Sequence, residues 1–262
     1  MTYKLYLGDC FEIFPTLDVG SIDAIITDLP YGTTACKWDT VIPFESMWKE
    51  VKRVLKPNGV FVTTASQPFT SALIMSNIDN YKHSWVWDKN RGNGHLIAKY
   101  RPLQQTEDVV VFCDGSHVYN PQMRKRKKPR KFGGSPSETS LCNKQNFKDT
   151  FTRVDYTENY PTNLLEISWS IRNGLHPTQK PVALYEYLIR TYTNEGDTVL
   201  DICMGSGTTI VAAIRTGRNA IGIEKDTEFG YMEIAEKRCK EATLQPELFS
   251  SSKPLETQQD LL

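Results

Sequence analysis

The stretch Asp197-Thr198-Val199-Leu200-Asp201-Ile202-Cys203-Met204-Gly205-Ser206-Gly207-Thr208-Thr209 decides the fold. It begins as a short β-branched run ending in a carboxylate, turns through a glycine pair, and opens an apolar helical pattern over 208–216. Strand, tight turn and helix start, in that order, build a ligand-binding corner. Glycines at 205 and 207 let the backbone approach a ligand closely, and the helix start presents free N–H groups beside it. About twenty residues on, Ile221-Gly222-Ile223-Glu224 ends the next strand with a second carboxylate, where it can accept hydrogen bonds from both hydroxyls of a ribose. A dinucleotide fingerprint would place a third glycine in the helix. Here Ile210 follows Thr208-Thr209, which disfavours a pyrophosphate and suits a nucleoside ligand without phosphate.

Outward from this corner, apolar runs rich in Val, Ile and Tyr at 3–7, 22–27, 60–64, 84–87, 109–112, 198–200 and 220–223 predict seven strands. Helical patterns fall at 44–55, 68–77, 181–192, 208–216 and 229–239, the first stopped by Lys56-Pro57-Asn58-Gly59. The alternation predicts an α/β fold with a mostly parallel seven-stranded sheet covered on both faces. With 262 residues, 39% of them apolar, the chain can bury one sizeable core. We expect one catalytic domain built from 1–113 and 176–243. Between them, 114–175 dissolves into Lys, Asn, Ser, Thr and Pro and reads as an irregular insertion. The tail, 244–262, reads as disordered. Trp85, Trp87 and Trp169 read as packing residues.

Net charge is zero, so any signal for a polyanion must lie in the distribution of charge. Arg124, Lys125, Arg126, Lys127, Lys128, Arg130 and Lys131 crowd one short stretch of the insertion, which alone reads as a solvated loop. The six cysteines have no Cys-x-x-Cys spacing and no histidines at metal-ligand intervals, so neither zinc nor a disulfide framework is expected. No apolar run approaches the ~18 residues of a membrane span, and the start of the chain lacks a signal pattern. The expectation is a soluble, cytoplasmic protein with no membrane association.

Near the other end of the chain, Ile22-Asp23-Ala24-Ile25-Ile26-Thr27-Asp28-Leu29-Pro30-Tyr31-Gly32 is a buried strand ending in a carboxylate, a proline and an aromatic. Ligands of open parallel sheets sit at such strand ends. A nucleobase amine is a poor nucleophile, because its lone pair is delocalised into the ring. Hydrogen-bond acceptors at Asp28 and the Leu29 carbonyl would favour a more tetrahedral nitrogen, whose lone pair could meet an electrophilic methyl group in line. Pro30 stiffens the turn, and Tyr31 offers a face for an extruded base. Taken alone, the same four residues also fit an ordinary turn at a strand end.

Asp28-Leu29-Pro30-Tyr31, then His176-Pro177-Thr178-Gln179-Lys180-Pro181, then Asp201 to Thr208 resemble the amino-methyltransferases of DNA. With the catalytic motif first and the cofactor motif last, the chain is similar to the beta class of that family. The resemblance implies a circularly permuted, Rossmann-like methyltransferase fold, S-adenosylmethionine as cofactor, and double-stranded DNA as partner. It also implies a target-recognition region in the insertion, which turns the basic run toward DNA contact. Asp9 and Cys10 are implied near the cofactor adenine; Thr178, Gln179 and Lys180 at its methionine end; and Asp201, Cys203, Gly205, Ser206, Gly207, Thr208 and Glu224 around it. Leu29 stands where the family usually has proline, and Cys203 where it usually has phenylalanine. The leading aspartate favours the adenine N6 amine. The cytosine N4 amine, a catalytically weak nucleic-acid binder, and an RNA or protein methyltransferase remain as alternatives. Methylation at a cytosine ring carbon is disfavoured, since no cysteine follows a proline. A homodimer stays open, and nothing in the sequence identifies a nuclease partner.

Overall fold

Strand β2 (Ile22–Asp28) alternates between two cores: Ala24 and Ile26 pack into one, Ile25 into the other. A strand buried on both faces must be covered on both, and that fixes a three-layer arrangement. The computed structural model describes residues 1–33, 39–132, 154–169, 179–225 and 228–244. Its other main elements are β1 (Tyr3–Leu7), α1 (Cys10–Ile13), α2 (Phe44–Val54), β3 (Leu55–Ala65), α3 (Phe69–Ser76), β4 (Tyr81–Asn93) and β5 (Gln104–Cys113). These are followed by β6 (Arg124–Phe132), β7 (Val154–Asn159), β8 (Leu164–Glu166), α4 (Val182–Tyr192), β9 (Thr198–Asp201), α5 (Thr208–Arg215), β10 (Asn219–Glu224) and α6 (Tyr231–Leu244).

The main sheet runs β1-β10-β9-β2-β3-β5-β4-β8. Strands pair in parallel from β1 to β3, β5 is antiparallel to both of its neighbours, and β8 is parallel to β4. Residues of α4, α5 and α6 share one core with Ala24 and Ile26, while those of α1, α2 and α3 share the other with Ile25 and Phe61. From β9 the chain passes through α5 outward to β10, and from β2 through α2 to β3 on the opposite side. The order therefore reverses between β9 and β2, and a crevice opens at their carboxyl ends.

The expected seven strands are all present, but the main sheet has eight. The extra strand, β8, lies inside the stretch expected to be irregular, and only its Leu165 is buried. Three residues with one buried side chain carry no periodicity to read. A second correction concerns the basic run expected as a loop: it is β6, paired antiparallel with β7. Charged at almost every position and interrupted by Pro129, it lacks the alternation of a strand; the register shift between Lys125 and Arg130 accommodates that interruption. These two strands belong to a separate compact unit, Pro121–Pro161. Helix α2 ends one residue earlier than expected and leads directly into β3, whereas α6 runs on to Leu244. The expected tail from 245 lies outside the described residues. Trp85 and Trp87 are buried and Trp169 packs against the same core, as expected. Among the described residues no helix is long and apolar enough to cross a membrane.

Gly207 shows how tightly this corner is built. Its φ is +76°, and a Cβ there would lie 2.9 Å from the Ala235 Cβ and 3.2 Å from its Cα on α6. Gly207→Ala is expected to lower stability by about 1–3 kcal/mol, combining left-handed strain with overpacking. An unchanged urea midpoint would show that α6 yields freely.

Candidate active site

The corner after β9 is held by side chains that converge from distant parts of the chain. Thr27 at the end of β2 donates its hydroxyl to Asp201 Oδ1 at 2.7 Å, and the Cys203 N–H donates to the same oxygen at 3.0 Å. Asp201 is 2% exposed. Burial pushes its carboxyl up to about 6, against hydrogen bonds from Thr209, Thr27 and the Cys203 backbone that favour the ionised form, while the charge of Asp28 adds to the rise. At the end of β10, Glu224 Oε2 accepts from the Gly205 N–H at 2.7 Å and so fastens the glycine turn. The end of β1 is tied alongside, with the Gly8 N–H donating to the Glu224 carbonyl at 2.8 Å. Asp9 caps α1 by accepting from the Phe11 N–H at 2.9 Å. Lys225, donating to Asp9 at 2.8 Å, is the main cause of its lowered carboxyl pKa. From α6, Arg238 donates to the Ser206 carbonyl at 2.5 Å, to Ser206 Oγ at 2.9 Å and to Thr208 Oγ1 at 3.2 Å.

Asp28 ends β2 on the other side of the crevice. Oδ1 accepts from the Tyr31 hydroxyl at 2.9 Å and from the Thr64 hydroxyl, and Oδ2 accepts from Lys180 Nζ at 2.8 Å. Lys180 is nearly buried and also lies 3.5 Å from Glu107 Oε2, whose other oxygen takes Lys89 Nζ at 3.1 Å. Burial alone would lower the Lys180 ammonium, but the carboxylates of Asp28 and Glu107 outweigh it and raise the pKa. Leu29, where a second proline was the family expectation, buries its side chain in the core of α1, α2 and α3. Tyr31 stacks on Phe69 with ring centroids 5.1 Å apart, and its hydroxyl pKa is raised first by burial and then by Asp28.

These groups meet around a cavity of about 460 Å³, bordered by Asp9, Cys10, Asp28, Pro30, Gln179 and Lys180, and by Asp201, Cys203, Gly205, Ser206, Thr208 and Glu224. Among the described residues, Asp9, Asp28, Asp201, Glu224 and Glu228 line it against Lys180 and Lys225, an acidic excess that opposes a pyrophosphate and suits a cationic ligand. Two thiols face it. Burial pushes Cys10 up to about 11 and Cys203 well above the ordinary thiol value, so neither is a thiolate nucleophile. No cluster of metal-ligating side chains occurs among the described residues.

The structure thus brings together both expected strand ends and the end of β1. Thr178 lies outside the described residues, and the basic run lies in the separate Pro121–Pro161 unit. Glu107, Lys89, Thr64 and Arg238 were missed. Each is an ordinary polar residue in a strand or helix, and only the sheet order β2-β3-β5-β4, or packing of α6 on the glycine turn, gives it a role.

Sheet order, permutation and crevice define a Rossmann-like methyltransferase. Residues 22–237 match the N6/N4 DNA methylase family model, and the chain belongs to this family of S-adenosylmethionine-dependent DNA amino-methyltransferases. It is 30% identical over 251 residues to the type II methyltransferase M.HpaI of Haemophilus parainfluenzae, covering 91% of this chain and 74% of that one. To the type II methyltransferase M2.DpnII of Streptococcus pneumoniae it is 29% identical over 258 residues, covering 89% and 88%. The crystal structure of the M1.HpyAVI–SAM complex superposes with a TM-score of 0.61 at 30% identity, covering 90% of this chain and 98% of that one. The cytosine-N4-specific PvuII DNA methyltransferase shares the fold, with a TM-score of 0.61 at 20% identity over 96% and 94%.

The raised carboxyl of Asp201 carries a sign. The folded state binds this proton more tightly than the unfolded chain does, so its contribution to stability is complete below about pH 4 and is lost as pH rises through about 6. Asp201→Asn should therefore stabilise the ligand-free protein at pH 8 by up to about 3 kcal/mol, with the gain shrinking toward pH 5. Equal gains at both pH values in calorimetry would remove ionised Asp201 as the cause.

Proposed function

We propose that this protein transfers a methyl group from S-adenosylmethionine to the N6 amine of an adenine turned out of double-stranded DNA. The observation that carries the reading is Asp28, held by Tyr31, Thr64 and Lys180 at the edge of the acidic cavity. A carboxylate has about four lone-pair sites, and three donors leave about one for an incoming amine N–H. The Leu29 carbonyl takes the second N–H. Asp28 orients the amine and stabilises the positive charge that grows on nitrogen, and once the methyl group has arrived the nitrogen releases its proton to solvent water. When bound, the cofactor supplies a methyl group made electrophilic by its sulfonium charge.

The cavity fits that cofactor on its own chemistry. Its volume is in the range of small-molecule sites, its carboxylates complement a cation, and the positive φ values of Gly205 and Gly207 let the backbone approach closely. We assign Glu224 to the ribose, Asp9 and Cys10 to the adenine side, and Asp201, Cys203, Ser206 and Thr208 with the two glycines to the rest of the pocket. Gln179 and Thr178 keep the methionine-end role that the family pattern implies. Lys180 is assigned instead to Asp28, because its ammonium is engaged there. The protonated thiols support transfer to an exocyclic amine rather than to a ring carbon.

Asp28→Ala should abolish methyl transfer while leaving S-adenosylmethionine affinity within a few-fold. Wild-type turnover in this variant would remove Asp28 from the mechanism. Modification-aware sequencing of an unmethylated host expressing the protein should reveal N6-methyladenine at a defined site, and N4-methylcytosine there would reverse the base assignment.

The β6 run is proposed to track DNA phosphates. Replacing Lys125, Lys127 and Lys128 by Gln should weaken binding to all duplexes alike and reduce the slope of log affinity against log salt by up to about three. A slope equal to wild type would mean that the run is only solvated.

A further inference from the structure

The chain between β4 and β5 leaves the sheet at the end where β2 stops at Asp28, only a few residues beyond Lys89 and before Glu107. It is exposed throughout, with Leu96 100% and Tyr100 87% accessible and Ile97 and Leu103 also on the surface. Its shape is nevertheless well specified. Gly94, at φ +93°, opens a short 3-10 turn over His95–Ile97, and the N–H groups of Ile97, Ala98, Tyr100 and Arg101 all donate to carbonyls within the loop. The base is closed by the Asn93–Gln104 pair, by Leu103 against Gly92, and by a hydrogen bond from the Gln104 side chain to Ser66.

Two properties set this loop apart from ordinary solvated chain. Holding a leucine and a tyrosine in water at the tip of a folded turn forgoes their burial, so the apolar surface calls for a partner. Charge identifies that partner. From Asn90 to Thr106 there is no acidic residue, while Arg91, Lys99 and Arg101 are cations. An apolar tip flanked by cations at the catalytic end of the sheet complements a duplex whose target base has left the stack. The cations meet phosphates, and an apolar side chain enters the gap.

We propose that the β4–β5 loop is a DNA-contacting element in which Leu96 wedges into the base stack at the extruded nucleotide, while Lys99 and Arg101 hold the adjoining phosphates. The inference rests on the DNA-methylation reading and extends it to base extrusion. Leu96→Ser touches no core residue, so cofactor affinity and melting temperature should match wild type. On a duplex with a paired target base, this variant should lose about tenfold or more in kcat/KM. Placing the target base opposite a mismatch lowers the extrusion barrier and should restore most of the loss. Lys99→Gln with Arg101→Gln should reduce the salt slope of DNA binding by up to about two. Wild-type activity of Leu96→Ser on the paired duplex, or an equal loss on both duplexes, would overturn the wedge. A wild-type enzyme that methylates no DNA would overturn the function reading and this proposal together, whereas the first two outcomes overturn this proposal alone.

Discussion

Thr27 and Asp201 are 174 positions apart, and the 2.7 Å hydrogen bond between their side chains joins the carboxyl ends of β2 and β9. These two strands pair over a short ladder, Ala24 with Val199 and Ile25 with Leu200, so the side-chain bond extends the junction to the strand ends where ligands bind. Register matters here. Slipping β2 by one residue would turn Ala24 and Ile26 into the opposite core and carry Asp28 away from the crevice. The glycine turn, the Asp28 group and the cavity between them all depend on this one join.

The walls of the cavity are electrostatically unlike. On the Asp28 side, two carboxylates and two ammonium groups alternate in a chain, Asp28–Lys180–Glu107–Lys89, drawn from β2, the entry to α4, β5 and β4. Removing one member of such a buried set leaves an uncompensated charge, so the group is held as a unit and presents Asp28 in a single geometry. The opposite wall, with Asp9, Asp201 and Glu224, carries more negative charge than Lys225 balances. Burial chiefly, with the charge of Asp28 added, raises the Asp201 carboxyl. A cationic ligand relieves that imbalance and a pyrophosphate would worsen it, which agrees with the absence of a third glycine after Gly207.

Outside the cavity, the two surfaces proposed to contact DNA differ in kind. Strand β6 is dominated by cationic residues and lies with β7 in a separate unit. The β4–β5 loop combines cations with an exposed leucine and tyrosine, in the same unit as Asp28. Phosphate attraction needs only charge, which tolerates many geometries, whereas separating stacked bases needs an apolar group held rigidly near the site of chemistry.

The sequence by itself determined the α/β order and both cavity-facing strand ends, while the permutation was implied by the family resemblance. The order and the strand ends are written locally, in a β-branched run, a glycine pair, or a carboxylate closing a strand. Asp28, Glu224 and the turn at Gly205 and Gly207 were legible for that reason. Only the tertiary structure decided that Lys180 belongs to Asp28, that Glu107 and Lys89 complete its charge, that Arg238 clamps Ser206, and that a highly charged stretch with a proline forms β6. None of these has a local signature. A lysine in a helix entry or a glutamate in a strand acquires its role from whatever the sheet order sets beside it, and β6 is a strand because β7 supplies its hydrogen bonds.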